Sequence, residues 1–376
     1  MLVLKGLFWL AGGALAWTHV GYPLAAAALA RARPRPVRKG DATPTVSVIV
    51  AAHDEEDVIE RRVENLLALD YPPELVDIVV ASDASTDATH AIVARIAARE
   101  PRVRLLACPR GGKVQAQNLA VAQTQGEIVA FSDANTTWAP DALGQLVRSF
   151  ADPDVAYVCG RVELQRADGT NRESAYWRYE MWLREQESAL WSVTGGNGCI
   201  YAVRGSDYLD VDPRFGHDLA FPYLMVQRGR RAVYDPGALA FEKPSRDLED
   251  EYRRKVRMTE HAWLIVLRGR FLRDLGPLYL TELVSHRLLR YGSGLLHIAL
   301  LGSSAALAGE GTVYRAALAA QVAALSLMAA GRLRAPVPGA SLAYYYGLVT
   351  WAMIVSLVRY LRFGVPAVWD KAAGTR

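Results

Sequence analysis

The sequence is short of cysteine, short of net charge and devoid of the usual glycine-rich nucleotide loops. Three cysteines, Cys108, Cys159 and Cys199, stand far apart in 376 residues. That spacing excludes a disulfide framework and a paired-cysteine metal site, and it predicts buried thiols in a reducing compartment. Net charge is only +4, with Lys and Arg scattered along the chain, so nucleic acid is excluded as a partner. Neither Gly-x-x-x-x-Gly-Lys-Ser/Thr nor Gly-x-Gly-x-x-Gly occurs, which argues against P-loop and dinucleotide chemistry.

What is present is segregated. Hydrophobic residues make up 51% and charged residues 22%, with apolar sequence concentrated at the two ends. Leu2–Ala30, interrupted by Lys5, His19 and Pro23, is long enough for the roughly 20 residues that span hydrocarbon. It is too long for the apolar core of a signal peptide and lacks a convincing cleavage site, so a membrane anchor is expected, with a signal peptide as the alternative. The basic stretch Arg31–Lys39 follows; the positive-inside rule then puts the middle of the chain in the cytoplasm. Three further apolar segments lie near Tyr291–Ala308, Val313–Ala330 and Leu342–Val358. Three spans would leave the C-terminus outside, whereas Arg359, Arg362 and Lys371 favour inside. The expected organisation is an anchor (1–30), a basic linker (31–43), an α/β domain (44–245), amphipathic interfacial helices (246–288), C-terminal transmembrane helices (289–362) and a tail (363–376), in a multi-pass protein of the cell membrane.

From Pro44 the pattern alternates. Val46–Ala52 reads as a strand buried on both faces, and His53-Asp54-Glu55-Glu56 as the start of a helix to about Ala68. Asp77–Ser82 and Val103–Ala107 are further strands, each feeding a helix, which predicts a doubly wound nucleotide-binding sheet. Ile128–Ser132 is a short buried strand running into Asp133-Ala134-Asn135. In extended backbone Asp133 and Asn135 present oxygens to one point, an arrangement that suits Mg²⁺ or Mn²⁺ completed by water and phosphate. The same residues also suit a turn closed by Asx hydrogen bonds. Lys113 follows Gly111-Gly112 at a helix start, where backbone N–H groups and an ammonium can both face phosphate; a solvated surface lysine is the alternative.

Val46–Glu55, Ala81–Thr89, Gly112–Asn118 and Phe131–Thr136 resemble, in the same order, the signature elements of family 2 glycosyltransferases of GT-A fold. Tyr176–Glu180, Thr194–Arg204 and Gly216–Leu219 continue the resemblance, which runs from about Pro44 to Leu267 and is nearest to the membrane-bound branch with cellulose, chitin and hyaluronan synthases and exopolysaccharide enzymes. It implies a GT-A domain flanked by transmembrane helices and a nucleotide sugar donor. Ala52, Glu55 and Asp83 are then assigned to the base and ribose, with a uracil N3–H as a partner for Asp83; a helix N-cap is the alternative for that carboxylate. Lys113 and Arg257 are assigned to the diphosphate, and Asp133 with Asn135 to the metal, Asn135 standing where a second aspartate is commoner. Asp218 is the implied general base, although His217 departs from the family's acidic pair; a helix cap is again the alternative.

Arg254–Met258 matches the processive enzymes' Gln-x-x-Arg-Trp only at Arg257, and Arg253, Arg254 and Lys255 read as a patch for anionic lipid. Gly195–Gly198 reads as a flexible loop able to admit an acceptor sugar. Tyr176, Trp177, Tyr179, Trp182 and Trp191 read as core packing or an interfacial belt more than a sugar-stacking floor. The expected activity is an inverting, metal-dependent transfer from a UDP-sugar to a glycan or lipid-linked acceptor at the cytoplasmic face. Its alternatives are a processive polysaccharide synthase, a sugar nucleotidyltransferase and an inactive nucleotide-sugar-binding protein.

Overall fold

The computed structural model describes residues 1–164, 175–244, 247–366 and 368; Lys371, invoked above, and Asp168 lie outside them. The chain divides into a helical unit (Met1–Ala25, Asp247–Leu267 and Leu280–Gly364) and a sheet unit (Ala26–Arg246, Arg268–Tyr279 and Val365–Arg376).

The apolar N-terminal stretch forms α1 (Leu2–Ala16), a π-helical turn (Trp17–Gly21) and α2 (Tyr22–Ala32). The basic linker that follows is fastened to the sheet unit. Arg35 lies 4.6 Å from the Trp191 ring, Arg38 pairs with Asp152 at 3.3 Å and Lys39 with buried Asp235 at 2.6 Å.

Eight strands form one sheet: β1 (Val46–Ala52), β2 (Val76–Asp83), β3 (Val103–Cys108), β4 (Ile128–Asp133), β5 (Thr137–Trp138), β6 (Val155–Leu164), β7 (Ile200–Arg204) and β8 (Arg231–Glu242). Their order is β3-β2-β1-β4-β7-β6-β8-β5. The β3-β2-β1-β4 half is parallel, as the strand–helix alternation requires. Beyond it β7 runs antiparallel to both β4 and β6, while β8 is parallel to β6 and antiparallel to β5. The sheet is therefore mixed, and the doubly wound expectation holds only for its first half. Ala232–Tyr234 and Ala238–Ala240, which read in the sequence as two separate strands, both belong to β8. Opposite Gly160 and Arg161 its partners jump from Asp235 to Leu239, a bulge that takes up Pro236, Gly237 and Ala238.

The sheet's faces are covered by α3 (Ile59–Leu67), α4 (Thr89–Ala97), α5 (Lys113–Val121), α6 (Ala142–Arg148), α7 (Ala175–Leu190) and α8 (His217–Gln227). One buried cluster packs Val48, Val50, Ile59, Val63, Leu143 and Leu146, and the other Ile49, Val79, Phe131, Tyr157, Tyr201 and Phe221. All three cysteines are free and buried. Trp177 donates its indole N–H to the Val162 carbonyl at 2.8 Å, in keeping with core packing for that aromatic.

The helical unit adds α9 (Leu248–Arg268), α10 (Pro277–Glu282), a second π-helical turn (Leu283–Leu288), α11 (Leu289–Tyr291), α12 (Ser293–Ala306), α13 (Thr312–Arg332) and α14 (Ala340–Phe363). Among the described residues two helices, α13 and α14, are long and apolar enough to cross a membrane. The segment expected at Tyr291–Ala308 is only 14 residues long as α12. The two π-helical turns meet where Trp17 donates to Ser285 Oγ at 2.8 Å and Thr18 to the Ser285 carbonyl at 2.6 Å. On α9, Arg253 pairs with Glu249 at 3.1 Å, and Arg254 and Lys255 with Glu251 at 3.1 and 3.6 Å. Each of these cations thus pairs with a carboxylate one turn back on the same helix.

Candidate active site

Open α/β sheets gather ligands at the carboxyl ends of their parallel strands. Here β1 ends on Ala52, β2 on Asp83 and β4 on Asp133, with Ala52 opposite Ser82 and Ala51 opposite both Ala81 and Asp133. The expected helix start at His53 is instead a loop, and α3 begins at Ile59. Asp54 adopts a left-handed conformation (φ 51°), as does Ala84 (φ 53°), because the loops after β1 and β2 hold one another. Asp54 N donates to Ser85 Oγ at 3.0 Å, and Thr86 N returns a bond to Asp54 Oδ1 at 2.6 Å. Glu55 N donates to Thr89 Oγ1 at 2.8 Å, Glu56 N to Asp87 Oδ2 at 3.0 Å, and Ala88 N to Glu56 Oε2 at 2.9 Å. Glu55 is thereby buried beside the strand ends.

Asp83 is buried and shapes the loop before α5. Its carboxylate accepts from Gly111 N at 2.7 Å, Gly112 N at 3.0 Å and Arg110 Nη1 at 2.5 Å. Gly112 has φ 89°, a conformation suited to glycine, and delivers Lys113 to the first position of α5. Asp83 caps no helix. Asp87 does the equivalent work ahead of α4, accepting from Thr89 N at 3.0 Å and Thr89 Oγ1 at 2.5 Å.

Lys113 is not a solvated surface side chain. Its ammonium bonds Asp133 Oδ1 and, at 3.1 Å, the Gly198 carbonyl. Burial opposes its charge, but Asp133, and then Asp218, outweigh burial and hold its pKa above the usual lysine value. Asp218 stands across the same gap: a Cβ built on Gly198 would lie 3.6 Å from Lys113 Nζ and 3.7 Å from Asp218 Cγ. Asp218 is the second residue of α8, whose cap position is Gly216. Its backbone carbonyl accepts from Gly196 N at 2.6 Å, so the carboxylate is positioned through the main chain.

The 195–198 loop is bolted in place, contrary to the flexible reading. Asn197 donates to the Gly160 carbonyl at 2.5 Å and accepts from Arg184 at 2.6 Å. A side chain on Gly196 would run into the Tyr157 hydroxyl. His217 faces away from this gap. It packs edge-on to Phe131 and Phe221, with Nδ1 2.8 Å from Tyr201 Oη. Burial, helped by the Lys113 charge, pulls its pKa down to about 3, so the ring is neutral at working pH.

Asn135 departs from the extended-backbone expectation. β4 ends at Asp133 and the chain turns over Ala134-Asn135, with Thr136 N 3.5 Å from the Asp133 carbonyl. Among the described residues no group of three or more His, Cys, Asp or Glu side chains converges as a metal cage. The Lys113 ammonium on Asp133 nevertheless marks a cation position, and a carboxylate there fits Mg²⁺ or Mn²⁺ whose remaining ligands are phosphate and water. Arg257 belongs to the helical unit, on α9.

Sequence reasoning missed Arg62. It is buried on α3, 4.9 Å from the Trp138 ring, where Cys199 and Asp133 act to support its charge. Burial lowers its pKa to about 9, leaving it cationic. A basic residue on the Ile59–Val63–Leu66 apolar face of α3 was the available signal.

The profile of Glycosyl transferase family 2 matches residues 47–209. A beta-monoglucosyldiacylglycerol synthase of Synechocystis is 34% identical over 206 residues, 51% of this chain and 42% of that protein. The succinoglycan biosynthesis protein ExoO of Rhizobium meliloti is 38% identical over 108 residues, 28% of this chain and 30% of that protein. A poly-beta-1,6-N-acetyl-D-glucosamine synthase of Staphylococcus aureus is 23% identical over 234 residues, 60% of this chain and 56% of that protein. The match thus spans about two fifths of the first relative's length, and less than two thirds of each of the others. The mannosyltransferase PcManGT of Pyrobaculum calidifontis, solved with GDP-Man and Mn²⁺, superposes with a TM-score of 0.72 over 95% of this chain and 99% of its own, at 24% identity, and so shares the fold. Signature motifs in order and a mixed sheet with the candidate site at its parallel strand ends accompany the profile match: residues 47–209 are a match to the family 2 glycosyl transferases.

Proposed function

We propose that this chain is an inverting glycosyltransferase, held in a membrane by its helical unit, that moves a sugar from a UDP-sugar to a lipid-linked or polysaccharide acceptor at the cytoplasmic face. The observation that carries the reading is the convergence of Lys113, Asp133 and Asp218 beside the Gly198 carbonyl. The arrangement supplies a cationic side for a leaving diphosphate and a carboxylate for an attacking hydroxyl.

In the proposed reaction the nucleotide lies over Ala52, Glu55 and Asp83. Asp83 accepts three hydrogen bonds, and its fourth lone-pair site suits the N3–H of uracil. Lys113 and the N–H groups at the start of α5 face the diphosphate. Asp218 takes the acceptor's hydroxyl proton as its oxygen bonds the anomeric carbon and the bond to the diphosphate oxygen breaks. One displacement on one face inverts the anomeric centre. A divalent metal at Asp133, with Asn135 as the proposed neighbouring ligand, would neutralise the leaving diphosphate. Two helices long enough to span a bilayer, and relatives named for glycolipid and polysaccharide synthesis, support the membrane setting and the acceptor class.

Full-length protein is assayed against a panel of UDP- and GDP-sugars, with diacylglycerol and oligosaccharide acceptors. Nucleoside diphosphate release and product anomer are the readouts. UDP release with an inverted product is expected. Pyrophosphate release would make the chain a nucleotidyltransferase, and long polymer from one acceptor a processive synthase.

A further inference from the structure

The carboxylate on which the proposed metal rests already carries a cation. Lys113 Nζ bonds Asp133 Oδ1 and the Gly198 carbonyl, which are groups that a hard divalent ion would also choose. Ammonium and metal repel one another, and they share the charge of one carboxylate, so each weakens the other's hold on Asp133. Asp133 offers a single carboxylate, and that charge is matched by the ammonium. A hydrated divalent ion arriving alone therefore gains little. A nucleotide diphosphate changes the balance, because its phosphate oxygens can receive both cations. The backbone of Lys113 is fixed in α5, whereas its stem is unbranched and its side chain about a quarter exposed (24%). Gly198 presents no side chain in the path of Nζ, which would lie 3.6 Å from a Cβ placed there.

We infer that Lys113 is a placeholder cation: without nucleotide its ammonium holds the metal position on Asp133, and a divalent ion enters together with a nucleotide diphosphate, which draws the ammonium onto its phosphates. The inference rests on the donor reading above and adds to it an order of loading. Metal and nucleotide diphosphate bind as a pair, each weakly without the other, and linkage makes the dependence reciprocal.

The test follows Mn²⁺ binding to the full chain by the electron paramagnetic resonance signal of free Mn²⁺, with and without UDP or GDP. In the wild type, UDP or GDP should tighten Mn²⁺ about tenfold or more, within the usual range for coupled sites. Lys113→Met should bind Mn²⁺ alone about tenfold more tightly than the wild type, with the coupling to nucleotide reduced by a similar factor. Lys113→Gln carries the same expectation should Lys113→Met fail to fold. Nucleotide-free Mn²⁺ affinity unchanged in the folded variant would overturn the inference, as would strong Mn²⁺ binding by Asp133→Asn. A wild type that binds neither UDP nor GDP would instead remove the donor reading, while the Mn²⁺ difference between wild type and variant would still report on Lys113.

Discussion

Asp218→Asn separates chemistry from architecture. The carboxylate is held through main-chain contacts: Gly196 N bonds its backbone carbonyl at 2.6 Å, and Gly216 occupies the cap of α8. Replacing it by an amide of the same shape removes its favourable charge in the first helical turn, worth about 0.3–1 kcal/mol, and its smaller share, after Asp133, of the field on Lys113. A fall in melting temperature of roughly 1–4 °C is the corresponding upper range. The catalytic loss is of another size. General-base assistance contributes about 10²–10⁴ in rate, which is roughly 3–5 kcal/mol of barrier. Turnover followed by UDP release should fall by that factor, while UDP affinity measured by calorimetry in Mn²⁺ stays within a few fold. A folded Asp218→Asn protein with near-normal turnover would refute the assignment and move the base elsewhere.

The metal proposal predicts that Asp133→Ala and excess chelator each abolish turnover, whereas Asn135→Asp preserves or tightens Mn²⁺ binding; full activity in chelator would defeat it. His217 has a folded pKa of about 3 against 6.5 for the free side chain, so the unfolded chain binds the extra proton and stability is lost as pH falls from 6.5 towards 3. At about 1.4 kcal/mol per pH unit, melting of the wild type should drop more steeply between pH 7 and 5 than that of His217→Phe, and equal slopes would contradict the buried neutral ring. Gly196→Ala drives a methyl group into the Tyr157 hydroxyl and should cost about 1–3 kcal/mol, with partial recovery in the double variant with Tyr157→Phe; full stability of the single variant would show a looser loop. A cysteine at position 168 should resist membrane-impermeant thiol reagents in intact cells, and labelling from outside would overturn the cytoplasmic placement.

The parallel half of the sheet was legible because β-branched runs recur between helical patterns, and β1, buried along nearly its whole length, carries a continuous apolar sequence. The antiparallel half was not. β7 and β8 are fixed by partners far along the chain, and the bulge in β8 splits its pattern in two. The strand-end positions of Ala52, Asp83 and Asp133 followed from local pattern. Partnerships did not: Lys113 meets Asp133 and Gly198 across the gap between elements, and nothing in the local sequence announces it. The direction in which His217 faces was hidden for a related reason. Helix α8 is buried at His217, Ala220, Phe221, Pro222, Tyr223, Met225 and Val226, so no apolar stripe told which way the imidazole faces. The false helix start at His53 has the same origin, since acidic residues that favour a first helical turn are here engaged by a loop some 30 residues away.

That pair of interlocked loops bears on how donor preference can be altered. Glu55 and Asp83, the residues proposed to meet the nucleoside, sit on opposite sides of a seam stitched by reciprocal bonds between main chain and side chain. A chimaera that grafts residues 53–58 from a relative without residues 84–89 leaves several donors and acceptors unmatched, and each buried one costs about 1–3 kcal/mol. Grafting both segments together keeps the stitches. On the proposed donor site, base specificity is a trait of two loops inherited jointly, and laboratory selection for a new nucleotide should recover changes in both before either is tolerated alone.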